Sequence, residues 1–250
     1  MIEWVGPLNI VHVVTNNATN FVVVGRLISQ KHKHINWSPC ATHCFNLIFK
    51  DIGKMDHVAE LVRCASNVTI FVYNHVSLLS WLRKREEWTK IFRLGATTFI
   101  ALKNLRNHKH DLQALVTSKF FVDFRYSRDN KSRVAFSIIL DNRFWNNCLI
   151  VVNLMASVVH LLHIVDCDER PSMGYVYEGM YRARLGIKKS FNYNKRLYKP
   201  YIEIIKQIWH QQLNKNIHSI AYWLNPCFQY DQENFCNKPI IIGCAIDVID

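Results

Sequence analysis

The chain has 250 residues, half of them hydrophobic, with 14 Phe, 10 Tyr and 7 Trp but only 8 Gly and 6 Pro. That is enough to bury a core, and too little Gly and Pro for a collagen-like or Pro/Gly-rich disordered chain. With 31 Lys and Arg against 19 Asp and Glu, the formal charge of +12 favours polyanionic partners, nucleic acid first and an acidic membrane surface second.

The first seven residues, MIEWVGP, have neither the basic nor the apolar region of a signal peptide. Residues 8–14 are rich in β-branched side chains and predict a strand. A polar turn follows over Thr15 to Asn20, then a helix from Ala18 or Thr19 to about Lys31. Ile35 to Pro39 has the length of a short strand, so the chain opens with a β-α-β unit. Helical patterns then cover Ala41 to Gly53, Asp56 (as N-cap) to Asn74, Ser77 to Trp88 and Ala96 to Leu115. Residues 123–133 (DFRYSRDNKSR) predict a loop, and Phe136 to Val165 one or two long helices. Ser172 is placed as the N-cap of a helix to about Ser190. Further helices are expected over Tyr198 to Leu213 and Ser219 to Leu224, and residues 238–250 fit helix or strand. Few breakers and long helical periods make the expected fold α/β and mostly helical.

Cys148 to Val165 carries no formal charge over 18 residues, just short of a membrane span. It carries Asn153, Ser157, His160 and His163, three of them close to one stripe at helical spacing, so a buried amphipathic helix is expected and no membrane partner. The eight cysteines (Cys40, Cys44, Cys64, Cys148, Cys167, Cys227, Cys236 and Cys244) have no framework spacing and read as reduced thiols. On a helix, Cys40, His43 and Cys44 share one face. Three soft ligands suit zinc, yet a structural site wants four, so a buried helix start is the competing reading. Asp166, Asp168 and Glu169 could meet a divalent cation or form a solvated turn.

Residues 182–199 (RARLGIKKSFNYNKRLYK) hold Arg182, Arg184, Lys188, Lys189, Lys195, Arg196 and Lys199 without an acid. Phe191, Tyr193 and Tyr198 interleave with them, and Tyr181 and Tyr201 flank them. Cations with aromatics suit phosphate contact and base stacking; a solvated helix end followed by a basic loop is the alternative. Arg83, Lys84, Arg85, Lys90 and Arg93 make a second basic stretch, diluted by Glu86 and Glu87. Lys103, Arg106, His108, Lys109 and His110 make a third.

Long blocks, among them VVTNNATNFVVVGRL, WSPCATHCFNLIFKDIGK, ILDNRFWNNC and LLHIVDCDERPSMGYVYEGMYRA, make nearly the whole chain resemble plant proteins derived from hAT-superfamily transposases. The resemblance implies an RNase H-like domain interrupted by an all-helical insertion. It also implies two Asp and one Glu that hold two metal ions for strand cleavage. Asn16 stands where the second acid of that set is expected, and the positions of the first and third fall outside the sequence. An amide can offer a carbonyl oxygen but no charge. The family's zinc finger and dimerisation segment are likewise not matched, and Thr98 stands where related sequences carry Arg. Cys40 and His43 match a C-x-x-H pattern that supports the family's core. The absence of upstream strands predicts an unpaired sheet edge at residues 8–14.

These readings combine into a set of expectations. Residues 1–54 form a partial RNase H-like lobe, 55–225 an all-α insertion domain and 226–250 a truncated C-terminal segment. The protein is a catalytically inactive, nuclear, transposase-derived fragment with no cofactor. It binds DNA in a salt-sensitive, largely sequence-independent way through the seven cations of residues 182–199. The alternative is a protein-interaction module, a homo-oligomer through exposed apolar faces, or a relic without DNA binding.

Overall fold

The computed structural model describes residues 2–86, 88, 98–167, 172–229, 241 and 243. The described chain is mostly helical with one small parallel sheet, the expected class. It divides into two compact units, residues 1–51 with 156–250, and residues 52–155.

In the first unit, α1 (Ile2–Val5) leads into a 3-10 turn over Pro7–Asn9, then β1 (His12–Thr15), α2 (Thr19–Lys31), β2 (Asn36–Pro39) and α3 (Ala41–Gly53). β1 starts later than the composition suggested. Gly6 turns the chain at φ 88° and Pro7 opens the 3-10 turn, which takes up residues 7–9. β1 and β2 pair in parallel from His12 opposite Asn36 to Thr15 opposite Pro39, and α2 is the crossover. Gly25 sits against the face of Trp37, and a Cβ there would overlap the indole ring. Trp37 Nε1 in turn donates to Thr15 Oγ1 at 2.9 Å. One missing Cβ and one indole thus join the helix to both strands.

Helices are the only regular elements among the described residues of the second unit. It comprises α4 (Asp56–Asn74), α5 (Val76–Arg83), α6 (Thr98–Asn107), α7 (Lys109–Thr117), α8 (Lys119–Val122), α9 (Asn130–Leu140) and the first part of α10 (Asn142–Val165). α4 buries Val58, Leu61, Ala65, Val68, Phe71 and Val72, and packs on α5, α6 and α9. Asp56 lies in its first turn as an acid favoured by the helix dipole, not as the N-cap, which is Met55. The expected single helix over 96–115 is two among the described residues, broken at His108, whose backbone leaves helical ψ. Phe99, Leu102, Leu105 and Leu112 are all buried, so the periodicity was right and the continuity was not. α5 stops at Arg83, short of Trp88. Residues 123–129 form the expected loop, but α9 already begins at Asn130.

α10 is the one helix among the described residues long and apolar enough to cross a membrane by length and composition. Trp145, Cys148, Val151, Leu154, Met155 and Val158 are buried along it. Asn153, His160 and His163 are exposed and Ser157 is half-buried, the stripe read from the sequence.

The first unit continues through α11 (Met173–Ser190), α12 (Lys195–Ile208), a π-helical turn over Trp209–Leu213, α13 (Asn216–Trp223) and α14 (Pro226–Gln229). The helix expected over 198–213 starts three residues earlier and changes to π geometry for its last turn. α11 packs on α12 and α13, and a Cβ at Gly174 would lie 2.7 Å from the Ala221 carbonyl oxygen. Tyr222, Phe228 and Ile241 form a core with Tyr175, Tyr177 and Trp223 packed around it. Residues 156–225, expected with the helical insertion, share a unit with residues 1–51. The π-turn packs on β2, and Asn17 Nδ2 donates to Gln212 Oε1, so the link is made through space across almost two hundred residues of chain.

Candidate nucleic-acid interface

Of the seven cations of residues 182–199, Arg182, Arg184, Lys188 and Lys189 fall on α11 and Lys195, Arg196 and Lys199 on the first turns of α12, with a tight connection between the two helices. The connection is built by local chemistry. α11 ends in a Schellman arrangement: Tyr193 N–H donates to Lys188 C=O at 2.8 Å, and Asn192 N–H to Lys189 C=O at 2.9 Å. Asn192 takes the left-handed conformation this cap requires, at φ 48°, and Asn is among the few non-Gly residues that tolerate it. Tyr193 follows at φ 58°, a second left-handed residue with no such excuse. Its side chain is 57% exposed. Asn194 then caps α12 by accepting from Arg196 N–H at 3.2 Å.

α12 buries Tyr201, Ile202, Ile205 and Ile208, which turns Lys195, Lys199 and Lys206 outward. Between α11 and α12 lies a groove of about 420 Å³. Among the described residues, Arg184, Lys188, Lys195, Lys199 and Lys206 line it, together with Tyr181 and Tyr198 and a single acid, Glu203. Lys199 Nζ stands 3.5 Å from Glu203 Oε1, both well exposed. A pair of that kind contributes little and yields easily to a phosphate. Burial pulls the Arg184 guanidinium below its ordinary value, and it remains a cation at neutral pH.

The structure sorts the sequence candidates. Arg184, Lys188, Lys195 and Lys199 converge on the groove; Lys189 and Arg196 are exposed but do not line it. Arg182 is committed elsewhere, donating to Glu178 Oε1 at 2.6 Å. Glu178 is 2% exposed and its Oε2 has no hydrogen-bond partner. Arg182 therefore neutralises a buried carboxylate. Among the aromatics, Phe191 stacks on buried Tyr201, so both are spent on packing; Tyr193 is exposed, and Tyr181 and Tyr198 are half-buried at the groove. Lys206 was missed. Its signal was present: Lys195, Lys199 and Lys206 are spaced i, i+4, i+11, which returns to one helix face.

The other basic stretches behave differently. Arg85 Nε donates to Asp111 Oδ1 at 2.9 Å and its guanidinium lies over Trp81. His108 Nδ1 lies 3.5 Å from Asp111 Oδ2 and is 3% exposed. One acid thus answers two members of these stretches. Lys90 and Arg93 lie outside the described residues, as do Asp168 and Glu169 of the acidic cluster.

No group of three His, Cys, Asp or Glu side chains placed to hold a metal occurs among the described residues. His43 and Cys44 lie in the first turn of α3 and Cys40 immediately precedes it, but Cys44 is fully buried and donates to Gln212 Oε1 at 3.6 Å. Burial, with Cys40 alongside, pushes its thiol up to about 12, so it is a neutral core group. Asn16 is exposed immediately after β1.

Residues 1–68 match the family model described as "Domain of unknown function (DUF659)". The match covers the β1–α2–β2 unit, α3 and most of α4, and ends well before α11 and α12. No curated protein and no solved structure matches the chain.

Proposed function

We propose that this chain is a transposase-derived protein that binds DNA without cutting it. The observation that carries this reading is the α11–α12 groove, where, among the described residues, five cations and two half-buried tyrosines face one acid. Such a surface suits phosphate contact with aromatic stacking alongside. The origin is supported by the hAT-like sequence blocks and by the match over residues 1–68, a domain found in hAT-type transposase-like plant proteins. The loss of cleavage is supported by Asn16, a neutral amide at the position of a metal-binding acid in the family pattern. Neither a cofactor nor a membrane has a part in this reading, and its site of action is the nucleus.

Fluorescence anisotropy of the purified chain against short duplex and single-stranded DNA tests it, at low and at physiological salt. Binding that weakens steeply with salt and varies little between sequences is expected. No binding by a chain with a helical circular-dichroism spectrum would refute it.

A second reading, an interaction module or homo-oligomer, is favoured by a different observation. Trp4, Leu8, Val11, Val14, Val24 and Leu27 are all exposed at the N-terminal end, Trp4 and Leu8 at 88% each. Partner-dependent solubility, with no DNA binding, is the result that would select it.

A further inference from the structure

A second basic concavity lies elsewhere in the first unit, in a cleft of about 690 Å³ bounded by α2, β2 and the π-turn. Arg26, Lys33 and Lys215 line it, and among the described residues no Asp or Glu does. None of the three has an ion-pair partner among the described residues, in contrast to Arg63, Arg85 and Arg182. Three unanswered cations around one concavity repel each other, and an anion placed among them relieves that repulsion.

The rest of the lining is supplied by amides, and the π-turn explains how. Asn214 N–H reaches back to the Trp209 carbonyl at 2.8 Å, an i to i+5 bond that widens the helix. π-helical turns of this kind are frequent at functional sites. This one brings Gln211 and Gln212 to the cleft. Gln212 is held in a fixed orientation, because its Oε1 accepts from both Asn17 Nδ2 and Cys44 Sγ. Its Nε2 donors are thereby left without a partner among the described residues. Asn36 adds a further amide from β2.

We propose that this cleft is a binding site for a phosphate ester of nucleotide size, with the phosphate held by Arg26, Lys33 and Lys215 and the remainder met by Gln212 and Asn36. Arginine and lysine supply charge-assisted donors for phosphate, and a rigid amide reads the donor and acceptor edge of a base. The volume admits one nucleotide and not a duplex. The phosphate ester comes either from a free nucleotide or from the end of a strand. The site stands independently of the α11–α12 groove, since it shares no residue with it.

Calorimetric titration of the full chain with adenosine 5′-monophosphate, inorganic phosphate and a 5′-phosphorylated single-stranded octathymidylate tests the proposal. One-to-one binding of the nucleotide, or of the octanucleotide alone, is expected, and the choice between them names the source. The double variant Arg26→Ala/Lys215→Ala weakens that binding by about tenfold or more. The groove variant Lys188→Ala/Lys195→Ala leaves nucleotide binding unchanged. For the octanucleotide, only the cleft variants remove the dependence on its 5′-phosphate. Lys33→Glu is a second probe, placed on an exposed side chain where folding is not at stake, and it too lowers affinity. The proposal is overturned if no ligand saturates the wild-type chain, or if both cleft variants bind as it does. Loss of DNA binding in the groove variant with nucleotide binding intact separates this site from the proposed DNA surface.

Discussion

The α11–α12 groove and the Arg85–Asp111 region are both basic stretches of sequence, and they end in opposite electrostatic states. In the groove, among the described residues, five cations face a single exposed acid. In the second unit, Asp111 lies 2.9 Å from Arg85 and 3.5 Å from His108, and Trp81 covers the Arg85 guanidinium. A count of Lys and Arg scores the two alike. What differs is pairing, which decides whether a cation is available to a phosphate or already answered within the fold. Within residues 182–199 the same distinction separates Arg182, bound to Glu178, from Arg184 two residues on.

The largest expected effect tests the groove directly. Lys188→Ala/Lys195→Ala/Lys199→Ala/Lys206→Ala lowers duplex affinity at low salt by about a thousandfold and reduces the salt slope by about 3 to 4. Lys189→Ala/Arg196→Ala, which removes two cations outside the groove, costs much less. Equal losses in an anisotropy titration would mean that net charge, not the groove, carries binding.

Next comes an acid sensitivity lodged in the first unit. His218 is 3% exposed with Nδ1 lacking a hydrogen-bond partner, and burial, aided by His12 and Lys215, lowers its pKa to about 4. Its folded value lies below the unfolded value of about 6.5. The unfolded chain therefore takes up this proton first as pH falls. The stability tied to neutral His218 is fully present above about pH 6.5 and is lost between there and about pH 4, to a total of about 3 kcal/mol. His218→Gln should flatten the dependence of urea midpoint on pH across that window; an unchanged slope would refute the assignment.

A smaller effect is expected at Arg182. Arg182→Ala strands the buried Glu178 carboxylate and costs about 1–2 kcal/mol, the figure being discounted because the guanidinium is itself 62% exposed. Glu178→Gln in the same background restores most of it. DNA affinity falls by no more than the loss of one distant charge. A drop as large as that of Lys188→Ala would return Arg182 to the binding surface. Smallest of all, Arg85→Ala costs under about 1 kcal/mol in a thermal melt, since its side chain is 45% exposed, and leaves DNA binding unchanged.

Much of the fold was legible. The β-α-β opening, the helix over 19–31, the long helix to Asn74, the helix to Ser190 and the polar stripe of α10 all follow from period and turn chemistry. The misses have local causes. Pro7 and Gly6 reshaped the start of β1, and a single non-helical ψ at His108 divided one expected helix into two. Of the seven expected DNA contacts, four line the groove: Arg184 with Lys188 on α11 and Lys195 with Lys199 on α12 are each spaced i, i+4, so each pair shares a helix face, and the packing of α11 on α12 brings the two pairs together.

The sequence by itself determined the surplus of positive charge, the mostly helical class, the amide at position 16 and the placement of Lys195, Lys199 and Lys206 on one face of α12. These are properties of composition and of spacing along a helix, which a linear chain states directly. Only the tertiary structure decided which cations are answered. Glu178 claims Arg182 because burial leaves that carboxylate no other partner, Asp111 claims Arg85 across 26 residues, and the cleft cations Arg26, Lys33 and Lys215 have no ion-pair partner among the described residues. Charge–charge and hydrogen-bond energies depend on distance through space and on burial, and neither quantity is written in the order of the residues.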